Sequence, residues 1–217
     1  MTESIMSIAA QQLSDAVIDD AVMLAQFYQQ GWTVIRDFLP ERLNQQLLDE
    51  ARYDATLTPA GVGRARDHTL NRQIRRDKTH WFDGQSMAQQ HYLQLMLQLK
   101  LQLNRQFLLG LFDFECHFAC YQYGDFYQKH FDAFSGRSNR VLTTVSYLNN
   151  VAAGGELVLY GPDDKILSRI QPQAGNLVLF ESERFAHEVL AAVDDRYSIA
   201  GWFRHNNSIN GVIDPSR

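Results

Sequence analysis

The run YQKHFDAF, residues 127–134, sets His130 and Asp132 one residue apart, an imidazole and a carboxylate of the kind that hold non-haem Fe(II). In an extended segment side chains alternate between faces. These two therefore point the same way while Phe131 turns to the opposite face. Two histidines and one carboxylate on one face of an octahedron leave three positions open, so the pair asks for one more ligand. His187, in the strand-like FAHEVLAAV, is the best placed, because it lies far along the chain where a sheet can return beside the first strand. Of the others, His68 sits in a loop, His80 and His91 precede the β-rich half, and His205 is close to the end. An H-x-D pair also arises by chance, so it needs support from elsewhere in the chain.

Arg196 supplies that support. It lies nine residues beyond His187, in the apolar strand-like DDRYSIAGWF, where a buried guanidinium needs an anionic partner. A dicarboxylate cosubstrate would provide one through a bidentate pair. The plainer alternative is a salt bridge to Asp194 or Asp195, and taken with the three candidate ligands it is the weaker of the two.

The elements that must position these residues can be read in outline. SDAVIDDAVMLAQFYQQG has apolar residues at helical spacing, with Ser14 as a candidate N-cap and Gly31 as the stop. WTVIRDFL follows as a strand through Val34 and Ile35, and Pro40 opens a second helix over ERLNQQLLDEARY. Residues 56–76 lose all periodicity and carry Pro59, Gly61, Gly63 and many arginines, a loop of functional length. A third helix, SMAQQHYLQLMLQLKLQLNRQFLLG, places Leu93, Leu97 and Leu101 on one face beside Met96. That face is expected in the core, with Gly110 as the end. From Phe112 onward come ECHFACYQY, RVLTTVSYLN, GELVLYG, KILSRIQ, NLVLFES, FAHEVLAAV and YSIAGWFRH, spaced by turn residues as in an antiparallel sandwich or barrel.

The 217 residues suit one domain with one sizeable core. We expect residues 1–111 to be mainly helical support and 112–205 to form the β core. Hydrophobic residues at 45% and charged residues at 21% exclude disorder. A net charge of -5 gives no general attraction for nucleic acid or anionic membrane, leaving only a local basic stretch at 64–78. The N-terminus has no signal-peptide pattern and no apolar run spans a membrane, so the chain reads as cytoplasmic. Cys116 and Cys120 match neither a redox nor a zinc spacing and read as reduced packing residues. Apolar residues near the N-terminus suit a dimer contact or the core equally.

Together, H-x-D, a distant His and an Arg nine beyond it resemble the 2-oxoglutarate- and Fe(II)-dependent dioxygenases. ACYQYGDFYQKHFD (119–132), RVLTTVSYLN, GGELVLY (154–160), HEV, RYSIAGWF and IRRDKTHWFDG (74–84) are similar to the prolyl 4-hydroxylases, especially the hypoxia-inducible-factor prolyl hydroxylases and their bacterial relatives. The resemblance covers most of residues 30–205. It implies an α+β fold, a double-stranded β-helix (jelly roll) core with N-terminal helices packed on one sheet. It implies that His130, Asp132 and His187 bind iron, that Arg196 and Tyr147 hold the C5 carboxylate of 2-oxoglutarate, and that Tyr121 and Tyr127 line that pocket. Arg140 matches an arginine near the substrate entrance, although by sequence physics alone it is a surface charge at the start of a strand. Trp202 falls with the substrate-binding residues and, with Phe131, in a wall that keeps water out. Residues 57–73 match a mobile loop that closes over the target.

Dioxygen would be used with oxidative decarboxylation of the cosubstrate, with ascorbate as a stimulant, and Asp132 favours hydroxylation over halogenation. The implied partner is a protein carrying a target proline; in bacterial and ribosome-related relatives the targets are translation proteins such as elongation factor Tu. The arginine-rich loop is this chain's own, and the stretch before His130 is one residue shorter than in the animal enzymes. Two rivals stand beside this reading. One is the same chemistry on a small molecule or alkylated nucleic acid, the latter disfavoured by the acidic charge and by the lack of a second arginine patterned after Arg196. The other is a cupin-like binding module without catalysis.

Overall fold

Alternating side chains and short turns build most of this protein. In the computed structural model, which describes residues 21–61, 71–133, 138–206, 208–209 and 212–213, the chain runs α1 (Ala21–Gln30), β1 (Trp32–Ile35), α2 (Glu41–Asp49), β2 (Thr58–Pro59), β3 (Lys78–Trp81) and α3 (Met87–Phe107). The β-rich half follows as β4 (Asp113–Tyr121), β5 (Tyr127–His130), β6 (Arg140–Tyr147), β7 (Leu157–Tyr160), β8 (Ile166–Ile170), β9 (Leu177–Glu181), β10 (Ala186–Val189) and β11 (Arg196–Arg204), then a hairpin of β12 (Ser208–Ile209) and β13 (Val212–Ile213). Ser14 and residues 62–70 of the expected mobile loop lie outside the described residues.

Seven strands form one antiparallel sheet in the order β1-β9-β6-β11-β4-β3-β2, and four form a second, β5-β10-β7-β8. The two are the halves of a double-stranded β-helix, a jelly-roll core. The inner strands of the large sheet are buried on both faces because each face has a layer to meet. On β9, Leu177 and Leu179 join the helices while Val178 and Phe180 pack between the sheets. On β4, Cys116 and Phe118 face the helices while Ala119 and Tyr121 face inward. Both cysteines are buried and free.

The helices end where their chemistry ends them. Gly31 takes φ +79° after α1, and its N–H returns to Phe27 O at 2.8 Å, a left-handed turn that glycine makes without penalty. Pro40 precedes α2 and accepts from Asn44 N–H. Ser86 caps α3 by accepting from Gln89 N at 3.0 Å. After α2 a π-turn, Glu50–Asp54, places the Glu50 carboxylate to accept from Ser86 Oγ and Gln89 Nε2, both at 2.6 Å. This ties the end of α2 to the start of α3.

One expectation needs correction, and one strand was not foreseen. The buried face of α3 is Tyr92, Leu95, Met96, Leu99 and Leu103, while Leu97 and Leu101 are 40% and 59% exposed. Sheet contact rather than leucine count decides the face: the Tyr92 hydroxyl lies 3.0 Å from Ser146 Oγ on β6. Between the irregular stretch 56–76 and α3 lies β3, which pairs with β4 from Lys78↔Cys120 to Trp81↔His117. β3 carries Lys, Thr and His, and its side chains are only half-buried, so it shows no apolar alternation. The start of the 57–73 segment is held as well: β2 pairs with β3, and Ala60 N–H donates to Asp77 O at 2.9 Å.

Candidate active site

β5 and β10 bring the two histidines together as direct cross-strand partners, His130 opposite His187. Asp132 lies two residues past the end of β5. Its Oδ1 is 3.5 Å from His130 Nε2, and its Oδ2 is 3.4 Å from His187 Nε2. Three ligand atoms lie within 4.8 Å of one another. His130 Nδ1 sits 2.7 Å from Gln128 O and His187 Nδ1 3.3 Å from Phe185 O. A carbonyl can only accept, so both Nδ1 atoms carry the proton and both Nε2 lone pairs face Asp132. Three converging acceptors repel one another unless a cation sits among them. The donor set therefore fits a divalent metal, and two imidazoles with one carboxylate suit Fe(II).

The electrostatics agree. Burial by itself would raise the Asp132 carboxyl, but positive charge on the adjoining His187 and His130 rings outweighs it and holds the carboxyl well below the usual range, and a metal cation between neutral rings would act in the same direction. Burial, then the His187 ring, lowers His130, which favours the neutral, metal-binding imidazole. Asp132 Oδ2 also accepts from Thr143 Oγ1 and Trp202 Nε1, each at 2.9 Å. Trp202 thus orients the carboxylate as well as lining the cavity.

That cavity, about 490 Å³, runs between the sheets. At one end Arg196 is 1% exposed, with Nη1 donating to Ser198 Oγ at 3.0 Å and Nε unpartnered. No ion pair joins it to Asp194 or Asp195 among the described residues, so the plainer alternative does not occur. Its guanidinium lies 4.8 Å from the Tyr121 ring and 5.1 Å from the Tyr147 ring. The Tyr147 hydroxyl is buried with no hydrogen-bond partner among the described residues. Burial pushes this phenol up while the Arg196 charge pulls it down, with burial prevailing, so it stays a protonated donor at neutral pH. A buried cation and a buried hydroxyl, both with donors to spare, fit a carboxylate.

Tyr127 stacks on His130, ring centres 3.6 Å apart and planes 17° apart, and Arg75 covers the Tyr127 ring at 4.3 Å. Burial first, and the Asp132 and Asp77 charges after it, push the Tyr127 phenol up to about 12 against the opposing pull of Arg75. At the other end Arg140 is no free surface charge. Its Nε and Nη2 donate to Glu115 Oε1 at 3.0 and 2.8 Å, and its guanidinium lies 3.5 Å from the centre of the Trp202 ring. Arg204, fully buried, pairs with both Asp113 and Glu115 behind it. Phe131 is 40% exposed at the rim, so it borders the opening instead of sealing it.

Sequence reasoning missed several lining residues, among them Arg75, Glu115 and His117. Arg75, held by Asp77 through bonds of 2.8 and 2.5 Å, reaches the cavity from the irregular stretch. Its R-x-D spacing is the same alternate-residue signal that marked His130 and Asp132. Glu115 and His117 lie on the cavity face of β4, in register with Tyr121.

Comparison with known proteins gives a consistent result. Residues 116–204 match the model of the 2OG-Fe(II) oxygenase superfamily. No curated protein sequence matches the chain. Among solved structures, a prolyl-4-hydroxylase from Pseudomonas putida is 37% identical, with a TM-score of 0.75 over 86% of this chain and 98% of that one. A prolyl hydroxylase from Trichoplax adhaerens, solved with a hypoxia-inducible-factor oxygen degradation domain peptide, is 25% identical, with a TM-score of 0.67 over 92% of both chains. A viral collagen prolyl hydroxylase from Paramecium Bursaria Chlorella virus-1, at 17% identity and a TM-score of 0.59 over 81% of this chain and 96% of that one, shares the fold.

Proposed function

This chain belongs to the 2-oxoglutarate- and Fe(II)-dependent oxygenase superfamily and, within it, to the prolyl 4-hydroxylases, and on that premise we propose that it hydroxylates a prolyl residue of a protein. It is a 2-oxoglutarate-dependent dioxygenase that uses Fe(II), with 2-oxoglutarate and dioxygen as cosubstrates. Bound together these supply the oxidising chemistry, and the cosubstrate leaves as succinate and carbon dioxide.

The two-ended cavity carries the residue assignments. His130, Asp132 and His187 hold the metal through their converging lone pairs. Arg196 and Tyr147 take the far carboxylate of 2-oxoglutarate with donors that have no partner among the described residues. Tyr121 packs on the Arg196 guanidinium, and Tyr127 fixes the plane of His130. Thr143 and Trp202 hold the Asp132 carboxylate in place. Trp81, Tyr127, Trp202 and Arg140 bound the remaining space with ring faces and a fixed charge, a setting for a prolyl ring from which water is kept. The Trichoplax relative's peptide complex favours a polypeptide over a free amino acid. A translation factor such as elongation factor Tu is the first target to test. No helix among the described residues is long and apolar enough to cross a membrane, and a cytoplasmic setting goes with this reading.

Anaerobic titration with Fe(II) and 2-oxoglutarate tests the metal and cosubstrate assignment through a weak visible charge-transfer band, expected in the wild type and lost in His130→Ala. No band at saturation would return the chain to a binding module. Mass spectrometry of cellular protein with and without the gene tests the substrate, the expected change being one oxygen atom added to a proline. An unchanged prolyl proteome would move the substrate to a small molecule.

A further inference from the structure

We propose that His117 is a substrate-binding residue that accepts a hydrogen bond from a peptide N–H next to the target proline; this rests on the prolyl reading above. From Glu115 onward the odd-numbered residues of β4, Glu115, His117, Ala119 and Tyr121, line the cavity. His117 lies four residues before Tyr121, about 14 Å along an extended strand, so it sits toward the substrate end and away from Arg196. The ring is 5% exposed and its Nδ1 is 3.0 Å from Phe118 O. The carbonyl must accept, so Nδ1 holds the proton and Nε2 is a bare acceptor. Among the described residues no group donates to it.

Its surroundings fix the ring without filling that need. Trp81 stands edge-on at 4.9 Å and Trp202 is tilted at 5.4 Å. Three nearby donors are committed elsewhere: Arg140 to Glu115, Arg75 to Asp77, and the Trp202 N–H to Asp132. Burial first, then the Arg75 charge, lowers the ring to about 4, so it is neutral and accepts rather than donates at physiological pH. An acceptor on a residue that lines a cavity meets either water or a donor of the molecule that fills it. Proline has no N–H of its own, so a prolyl substrate meets this acceptor with the amide of a neighbouring residue.

The probe is a pooled library of proline-centred peptides, incubated with the Fe(II) enzyme, 2-oxoglutarate and dioxygen and read for hydroxyproline by mass spectrometry. The best-used sequence is then resynthesised with each backbone N–H methylated in turn. One methylated position should lower kcat/KM about tenfold or more in the wild type, chiefly through KM. That same methylation should cost little further in His117→Leu, while His117→Gln, which keeps an acceptor, retains most of the discrimination. The anaerobic absorption band reports whether each variant is folded. If His117→Leu is not, 15N NMR of the wild type with Zn(II) in place of Fe(II) asks the same question, the bare Nε2 signal moving on peptide binding. Equal turnover by His117→Leu, losses that simply multiply, or an unmoved Nε2 signal would overturn the role of His117 alone. A library that the wild type leaves untouched, with the band intact, would overturn the prolyl reading and this inference with it.

Discussion

Asp132 Oδ2 accepts two hydrogen bonds, from Thr143 and Trp202, and Thr143 Oγ1 also lies 2.9 Å from Ser182 Oγ. This chain of bonds fixes the carboxylate from behind, and partners of that kind typically govern metal affinity by about 10- to 100-fold. Thr143→Val, which keeps the shape and drops the hydroxyl, should weaken Fe(II) binding by that amount, read from the midpoint of the absorption-band titration. An unchanged midpoint would show that Trp202 holds the carboxylate unaided. The difference between Asp132 and Thr143 also explains what a sequence exposes at this scale. Metal chemistry restricts residue type, so histidine and aspartate at alternate positions announce themselves. A threonine in a strand is ordinary until β6 is seen to cross behind the loop that carries Asp132. His117 went unnoticed for the same reason, since a histidine inside an apolar strand has no meaning until the strand's cavity face is known.

Elements pose a different problem, because α3 is apolar on more than one side. Leucines at 93, 97 and 101 and the set 92, 95, 96, 99 and 103 both satisfy helical spacing. Only the sheet chooses between them, and it chooses the face where Tyr92 meets Ser146. Leu99→Ala should therefore cost about 2–5 kcal/mol, and Leu97→Gln should stay within about 0.5 kcal/mol, by urea denaturation. The reverse order would mean that the helix is rotated. Gly155 shows an element end serving the site. It has φ +66°, and a Cβ there would stand 3.0 Å from Arg196 Cδ. Gly155→Val should displace the guanidinium and raise the KM for 2-oxoglutarate by about tenfold or more, while Fe(II) affinity without cosubstrate stays near wild type. Seven of the C-terminal strands, β4 and β6–β11, were legible because turns punctuate apolar runs; β3 was not, because a half-buried strand of mostly polar residues carries no such pattern.

For the whole molecule, the ligand-free fold carries two unfavourable features at once, converging lone pairs at the triad and a buried guanidinium at Arg196 without an anion. An uncompensated buried charge destabilises a fold, and replacing it with an apolar side chain of similar volume is often neutral or stabilising. Ligands that bind only the folded state stabilise by mass action, about 2.7 kcal/mol at a hundred times Kd. In a chain of this size that corresponds to a rise in Tm of about 5–10 °C. Calorimetry should therefore show Tm rising when Mn(II), a redox-stable stand-in for Fe(II), and then 2-oxoglutarate are added, and falling back with EDTA. Arg196→Met separates the two contributions. Its ligand-free Tm should equal or exceed that of the wild type, the Mn(II) increment should persist, and the 2-oxoglutarate increment should vanish. A lower ligand-free Tm would mean that Arg196, through Ser198 and the two tyrosine rings, holds the fold together more than it waits for an anion.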